Sequence, residues 1–430
     1  MQLLVRLGFR IASLVLKFAL TIIVARTLGF SAVADLGLAL AISVLSSKLL
    51  GLGFSTEINR RLSAANPARA IHDARRLLLL YCVGYVAVGI IVMIVYRSAA
   101  FNAFSRITPG ILWGVVLVAF SEHAGLETTS YVFSLHRQRA GALLLFIRTG
   151  GWAGVAIIGL LADAIHSVET IFLLWCGTNV VAALAACWCM SRKSRELELN
   201  RSTHGACKVG GFRSVWMDGL PFFFAAIVLS GLQYGERFLA SQVFSSDALG
   251  RYVFAWSISN SIQTVAYATI VVTAGPRLVR ALSSSGGAFG ATLRHSLLSS
   301  VGITLLAAAA ILIVHRPIFH MAHEPAGSRE FGTLLILLVS FVLRSIADVY
   351  WVSAVALRLG RQVVFAIFCV AVLSIPAEWT LINRLGETGA ALAHLTASTG
   401  IVAVLASIVM RTRTSDGTTV VRNEEATHAS

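Results

Sequence analysis

The chain has 430 residues, of which 57% are hydrophobic and 13% charged, with a formal net charge of +15 and a mean hydropathy of +0.80. Soluble proteins carry about 25% charged residues, so the composition excludes a soluble domain, and only seven prolines exclude a disordered or linker-rich chain. The basic balance, which in a soluble protein would suggest nucleic acid, reads instead as the Lys and Arg of membrane-protein loops.

A transmembrane helix needs roughly 20 mostly apolar residues. The N-terminus imitates a signal peptide, with Arg6 and Arg10 before an apolar stretch and Ala32-Val33-Ala34 after it. Lys17 interrupts that stretch and further spans follow, so it is read as a retained first span. Apolar runs at residues 9–28, 32–54, 77–96, 109–135, 140–162 and 168–190 predict a first lobe, residues 1–190. Within it, Asn66 and Pro67 are suited to start an interfacial helix, with Arg69, Arg75 and Arg76 toward anionic headgroups, a solvated basic loop being the other reading. A basic linker, residues 191–213, holds Arg192, Lys193, Arg195, Arg201, Lys208 and Arg213. Runs at 215–242, 249–273, 293–314, 331–356, 362–382 and 387–410 predict a second lobe, residues 214–410, and the polar tail 411–430 is read as disordered. The expected fold class is all-α integral membrane, with about twelve transmembrane helices in two pseudo-symmetric six-helix lobes.

With both termini in the cytoplasm, only Arg97, Arg106, Arg316, Arg329 and Arg384 of the 35 Lys and Arg residues fall in outer loops, as the positive-inside rule requires. The halves resemble each other. A shift of about 220 residues lays Arg60, Leu62, Ser63, Ala68, Leu77 and Leu78 on Arg280, Leu282, Ser283, Ala288, Leu297 and Leu298. A shift of about 222 lays Leu135 and Arg139 on Leu357 and Arg361. An even number of spans per half makes the repeats parallel, related by an axis along the membrane normal.

Ionisable residues inside a bilayer are costly and each needs a reason. Lys17 lies midway along the first span and Lys48 about two turns from the inner end of the second. Glu122, His123 and Glu127 lie in the fourth, Arg148 in the fifth, and Arg344 and Asp348 in the tenth. Glu236 and Arg237 end the seventh, Arg251 starts the eighth, and Arg26 lies near the outer interface. His123–Glu127 and Arg344–Asp348 are four apart, so each pair shares a helix face and can neutralise internally. Glu122 and Arg344 correspond under the second shift, which would also allow a bridge between halves. Lys17 and Lys48 have no acidic partner at helical spacing, which points either to an anionic ligand or to snorkelling.

Other signals carry less. Six cysteines without a CxxC pair read as structural thiols, and His315, His320, His323 and Glu324 match no metal-site spacing. Gly150 and Gly154 form a GxxxG suited to close helix packing. Pro221 and Pro376 are expected to kink their helices. No phosphate-binding glycine loop is present, and neither cofactor nor metal is expected.

The stretch Ala25-Arg26-Thr27-Leu28-Gly29-Phe30 resembles the "ARxLG" junction of polysaccharide-transport proteins in the multidrug/oligosaccharidyl-lipid/polysaccharide superfamily. Gly219-Leu220-Pro221, Tyr234-Gly235-Glu236-Arg237-Phe238-Leu239, Leu249-Gly250-Arg251-Tyr252, and Gly386, Gly389 and Ala390 fit the same family's pattern. Glu236 stands where the family often has Asp, and the second half lacks a full "ARxLG". The resemblance implies two lobes facing each other in a V around a cavity lined by spans 1, 2, 7 and 8, and alternating access. It implies a Wzx-type flippase of undecaprenyl-pyrophosphate-linked oligosaccharide in the bacterial inner membrane, with polysaccharide polymerase and chain-length machinery as partners. It also implies that cations on spans 1, 2 and 8, matched by Lys17, Arg26, Lys48 and Arg251, hold the pyrophosphate. A charge in low dielectric requires such compensation.

Two other functions fit parts of the chain. A multidrug and toxin extrusion-like cation antiporter would use intramembrane carboxylates such as Glu122 and Glu127. An integral-membrane polysaccharide polymerase or ligase would need a catalytic outer loop. The longest outer loop, about residues 315–330, is short, and His320, His323 and Glu324 are its best candidates.

Overall fold

A computed structural model describes residues 2–51, 54–63, 67–97, 108–199, 212–283, 288–324 and 327–428. Among these, every regular element is a helix. The first half comprises α1 (Gln2–Leu28), α2 (Phe30–Leu50), α3 (Phe54–Leu62), α4 (Ala68–Arg97), α5 (Pro109–Ser134), α6 (Gln138–Phe146), α7 (Trp152–Leu161) and α8 (Val168–Leu199). The second comprises α9 (Phe212–Val243), α10 (Ser246–Ala266), α11 (Val272–Ser283), α12 (Ala288–Met321), α13 (Ser328–Ala356) and α14 (Gly360–His428). π-Helical turns at Ile147–Gly151 and Tyr267–Val271 join α6 to α7 and α10 to α11.

Among the described residues, ten helices are long and apolar enough to cross a membrane. One of them, Gly360–Thr412, is two segments, because Gly386 (φ 61°, ψ −135°) breaks it. The split makes eleven such segments against the expected twelve, and the 32-residue α9 is a further long helix outside that set. Positive φ costs glycine little, so the turn falls at Gly386. Pro376, expected to kink this region, lies inside continuous helix.

The interfacial segment differs from expectation. Asn66 lies outside the described residues, and α4 runs from Ala68 straight into the third span. The short amphipathic helix is α3, one element earlier, and α11 is its counterpart in the second half. The start of the basic linker continues α8 to Leu199, and the rest of it, 200–211, is outside the described residues. The last helix continues beyond the apolar span into the polar tail as far as His428, where the sequence predicts disorder. Extending an existing helix avoids the nucleation cost.

The chain divides into two compact units. One is Met1–Phe223 with Ser246–Phe254, and the other is Phe224–Ser245 with Ala255–Ser430. The boundary differs from the linker in one respect: the start of α10 groups with the first unit. There a Cβ on Gly250 would lie 1.8 Å from the Phe30 carbonyl oxygen, and one on Gly37 2.3 Å from Val253. The two glycines thus let α2 and α10 approach at backbone distance. In lipid, apolar burial gives no drive for helix association, so small residues that permit close packing carry it. Ala32, Ala34, Ala39 and Ala41 of α2 are buried accordingly, while α4 turns Leu79, Leu80, Val83, Val86, Ile91 and Ile94 outward. Gly150, in the first π turn, acts in the same way: a Cβ there would meet Ser13 Oγ at 2.8 Å.

One helix-ending turn recurs in both halves. His136 (φ 59°) ends α5 and Arg358 (φ 57°) ends α13, both left-handed. Arg137 N–H donates to Val132 O (3.3 Å) and His136 N–H to Phe133 O (3.0 Å). Leu359 N–H donates to Ala354 O (3.0 Å) and Arg358 N–H to Val355 O (3.1 Å). This is one helix-ending motif, with its nested pair of bonds, at positions matched by the second shift.

Candidate functional site

In the first unit, α5 carries intramembrane acids on two faces. Thr108 caps it, accepting from Ile111 N–H at 3.3 Å, and Pro109 opens it. On one face Glu122 is bonded by Arg148, by Trp175 Nε1 (3.1 Å) and by Asn179 Nδ2 (2.9 Å). Arg148 is delivered by the π turn, a distortion often found at functional sites. Gly125 makes room for it, since a Cβ there would lie 2.8 Å from Arg148 Cδ. Trp175 is held in place by stacking on Trp152, with centroids 4.5 Å apart. Lys17, half-buried on α1, lies within electrostatic reach of both Glu122 and Arg148. Two basic side chains thus face one carboxylate, Arg148 by direct bond and Lys17 at longer range. The partner of Glu122 is therefore Arg148 in its own lobe, where the sequence allowed Arg344.

On the other face of α5, His123 Nε2 lies 3.9 Å from Glu127 Oε1. Tyr85 hydroxyl bonds His123 Nδ1, Ser55 hydroxyl donates to Glu127, and Tyr81 hydroxyl donates to Gly51 O at 3.2 Å. The cluster ties the end of α2, the start of α3, α4 and α5 together. Lys48, exposed near the end of α2, interacts electrostatically with Glu127.

The four candidate cations all belong to the first unit. Arg26, exposed in the last turn of α1, and Arg251, half-buried beside Gly250, lie at the α1–α2 junction, where Gly29 (φ 87°) turns the chain. At 1.5 Å rise per residue, Lys17 is ~13 Å along α1 from Arg26, and Lys48 is ~27 Å along α2 from Phe30. They form a file at three heights along the helices, not one cluster.

In the second unit, Arg344 and Asp348 are joined through two amides. Arg344 donates to Gln233 Oε1 (2.9 Å), Gln233 Nε2 to Gln263 Oε1 (3.4 Å) and Gln263 Nε2 to Asp348 Oδ2 (2.7 Å). All three bonds point from cation to anion and link α13, α9 and α10. Buried Arg237 stacks over Trp256, 3.7 Å from the ring centroid, and Glu236 beside it is buried. Sequence reading passes over Glu378 and His394, buried in the two segments of α14, although the criterion that flags Arg344 applies to them. His394 Nδ1 bonds Ser340 (2.6 Å), and Glu378 interacts electrostatically with Glu236. Gln233, Gln263 and Asn179 carry no charge and give no comparable sequence signal. Among the described residues no cluster of metal-ligating side chains occurs.

No protein-family model and no curated protein matches the chain. Solved structures do. The chain is similar to an inward-facing multidrug resistance MATE family transporter of the MOP superfamily, with 17% identity, TM-score 0.61, and coverage of 96% of this chain and 97% of that one. It is similar to an outward-facing MATE transporter, with 15% identity, TM-score 0.63, and coverage of 96% and 95%. It is also similar to the lipid II flippase MurJ in an inward closed conformation, with 13% identity, TM-score 0.60, and coverage of 93% and 87%. At these identities the likeness establishes the fold: an all-helical, multi-pass membrane architecture shared by MATE transporters and a lipid flippase.

Proposed function

We propose that the chain is a flippase for an anionic, polyprenyl-pyrophosphate-linked oligosaccharide, acting in the bacterial inner membrane by alternating access with both termini cytoplasmic. The observation that carries this reading is the file of Arg26, Arg251, Lys17 and Lys48 in the first unit, where two of the intramembrane acids are themselves bonded, Glu122 by Arg148 and Glu127 by Ser55. An anion drawn through low dielectric needs compensating charge along its path, not at one point. An exporter of cations is the second reading, favoured by Asp348, which is only half-buried in α13.

The test is export of surface polysaccharide and build-up of its lipid-linked precursor in cells whose only copy is a variant. Lys17→Arg and Lys48→Arg keep much of the export, because Arg also binds phosphate, while Lys17→Glu and Lys48→Glu abolish it at matched protein levels. Normal export by both Glu variants would remove the lysines from the path. Loss of resistance to organic cations with polysaccharide unchanged would favour the second reading.

A further inference from the structure

At one end of the second unit, α11 packs against the start of α12 and the turn between α13 and α14. Leu278, Phe289, Leu293, Ala354 and Val363 share one buried core there. Around it stand Arg277, Arg280, Arg294, Arg358 and Arg361, all exposed. Among the described residues no carboxylate pairs with Arg277, Arg294, Arg358 or Arg361. The first unit handles its basic rim differently: Arg61 lies 3.8 Å from Asp73, and Glu196 accepts from Arg137 (2.6 Å) and lies 3.5 Å from Lys193.

The face of α11 is not simply a solvated basic surface. Ala274, Leu278 and Ala281 point inward, and of the exposed residues Val279 (55% exposed) and Leu282 (43% exposed) fall on one flank of the helix and Arg277 and Arg280 on the other. Water suits the guanidinium groups but not Val279 and Leu282, and hydrocarbon suits the reverse. The boundary between headgroups and acyl chains suits both. An arginine can also hold a phosphate through two parallel bonds.

We propose that this face of the second unit binds the phosphate groups of anionic phospholipids in the leaflet that the charge distribution assigns to the cytoplasm. Val279 and Leu282 enter the acyl boundary, and the guanidinium groups of Arg277, Arg280, Arg294, Arg358 and Arg361 take the headgroups. The bound lipid anchors α11 and the α13–α14 turn to the bilayer surface. The proposal is independent of the transported substrate.

The test uses the purified full chain with phosphatidylglycerol or phosphatidylcholine, counting retained lipids by native mass spectrometry. The expected result is preferential retention of phosphatidylglycerol, reduced about fivefold by each arginine removed. The combined R277Q/R294Q/R358Q/R361Q variant loses the preference, and the matching four Arg→Lys changes keep most of it. If the combined variant does not fold, single Arg277→Gln and Arg358→Gln variants read the same effect. Equal retention of the two lipids by the unmodified chain overturns the proposal, as does unchanged preference in the Gln variants. So does phosphatidylglycerol binding that emerges only when Asp416, Glu424 and Glu425 are neutralised, since those carboxylates of the tail would then be the occupant.

Discussion

Glu122 accepts from three donors on two helices and lies near a second cation, Lys17. Removing a carboxylate that holds a buried guanidinium costs about 3–5 kcal/mol, because the stranded charge has no replacement for water. Glu122→Gln is therefore expected to lower the thermal stability and yield of purified protein by that order, and adding Arg148→Met to recover most of the loss. Equal losses in the single and double variants would show that the two residues do not depend on each other. This pair is not legible in the sequence: residues 122 and 148 lie on different spans, and a π turn that no composition signals brings them together. His123 and Glu127 are legible, because four-residue spacing places them on one face whatever the tertiary fold, and they lie 3.9 Å apart. Arg344 and Asp348 have the same spacing, yet Gln233 and Gln263 stand between their charges. Neutral amides supply hydrogen bonds to both ions, which a buried pair needs as much as mutual attraction.

Elements make different demands from single residues. The polarised chain from Arg344 through Gln233 and Gln263 to Asp348 fastens α9 and α10 to α13. Gln233→Leu and Gln263→Leu break the same chain, so their destabilisations should be strongly non-additive, with the double variant little worse than either single one; additivity in thermal unfolding would mean that the amides act separately. The helix-ending turns at His136 and Arg358 place non-glycine residues at positive φ. His136→Gly and Arg358→Gly relieve that strain at these surface positions, with an expected gain of a few tenths to about 1 kcal/mol in unfolding free energy. A loss at both sites would assign the side chains a role that outweighs the backbone. Gly250 makes the opposite case. Its missing Cβ lets α10 meet the Phe30 carbonyl, so Gly250→Val should separate α2 from α10 and sharply reduce folded protein, whereas Gly231→Ala, at a glycine with open space around it, should be tolerated. Equal yields from the two variants would deny the close approach.

For the whole molecule, the charge asymmetry of the loops predicts orientation. In a cysteine-free background, a cysteine at Ser194 should resist an impermeant thiol reagent applied to intact cells, and one at Ser328 should react. Labelling at Ser194 from outside would invert the topology and move the arginine face of the second unit to the other leaflet. Each unit has its own polar interior: Glu122 and Arg148 in the first, the amide-linked Arg344 and Asp348 in the second. The two units share the helix-ending turn seen at His136 and Arg358, while their buried charges differ.

The sequence by itself determined the membrane class, the near-complete set of spans, the division into two halves and the candidate cations, because these depend on residue counts, on apolar length and on spacing within one helix. Each of those is a local quantity set by bilayer thickness and helical rise. Tertiary structure alone decided which acid meets which base, that Gln233 and Gln263 bridge an ion pair, that the α14 region breaks at Gly386 and not at Pro376, and that the start of α10 packs with the first unit. Those outcomes turn on contacts between residues far apart in the chain. In a bilayer the contacts are chosen by small-residue packing and hydrogen-bond satisfaction, not by hydrophobic pattern, and the hydrophobic pattern is what a single sequence displays.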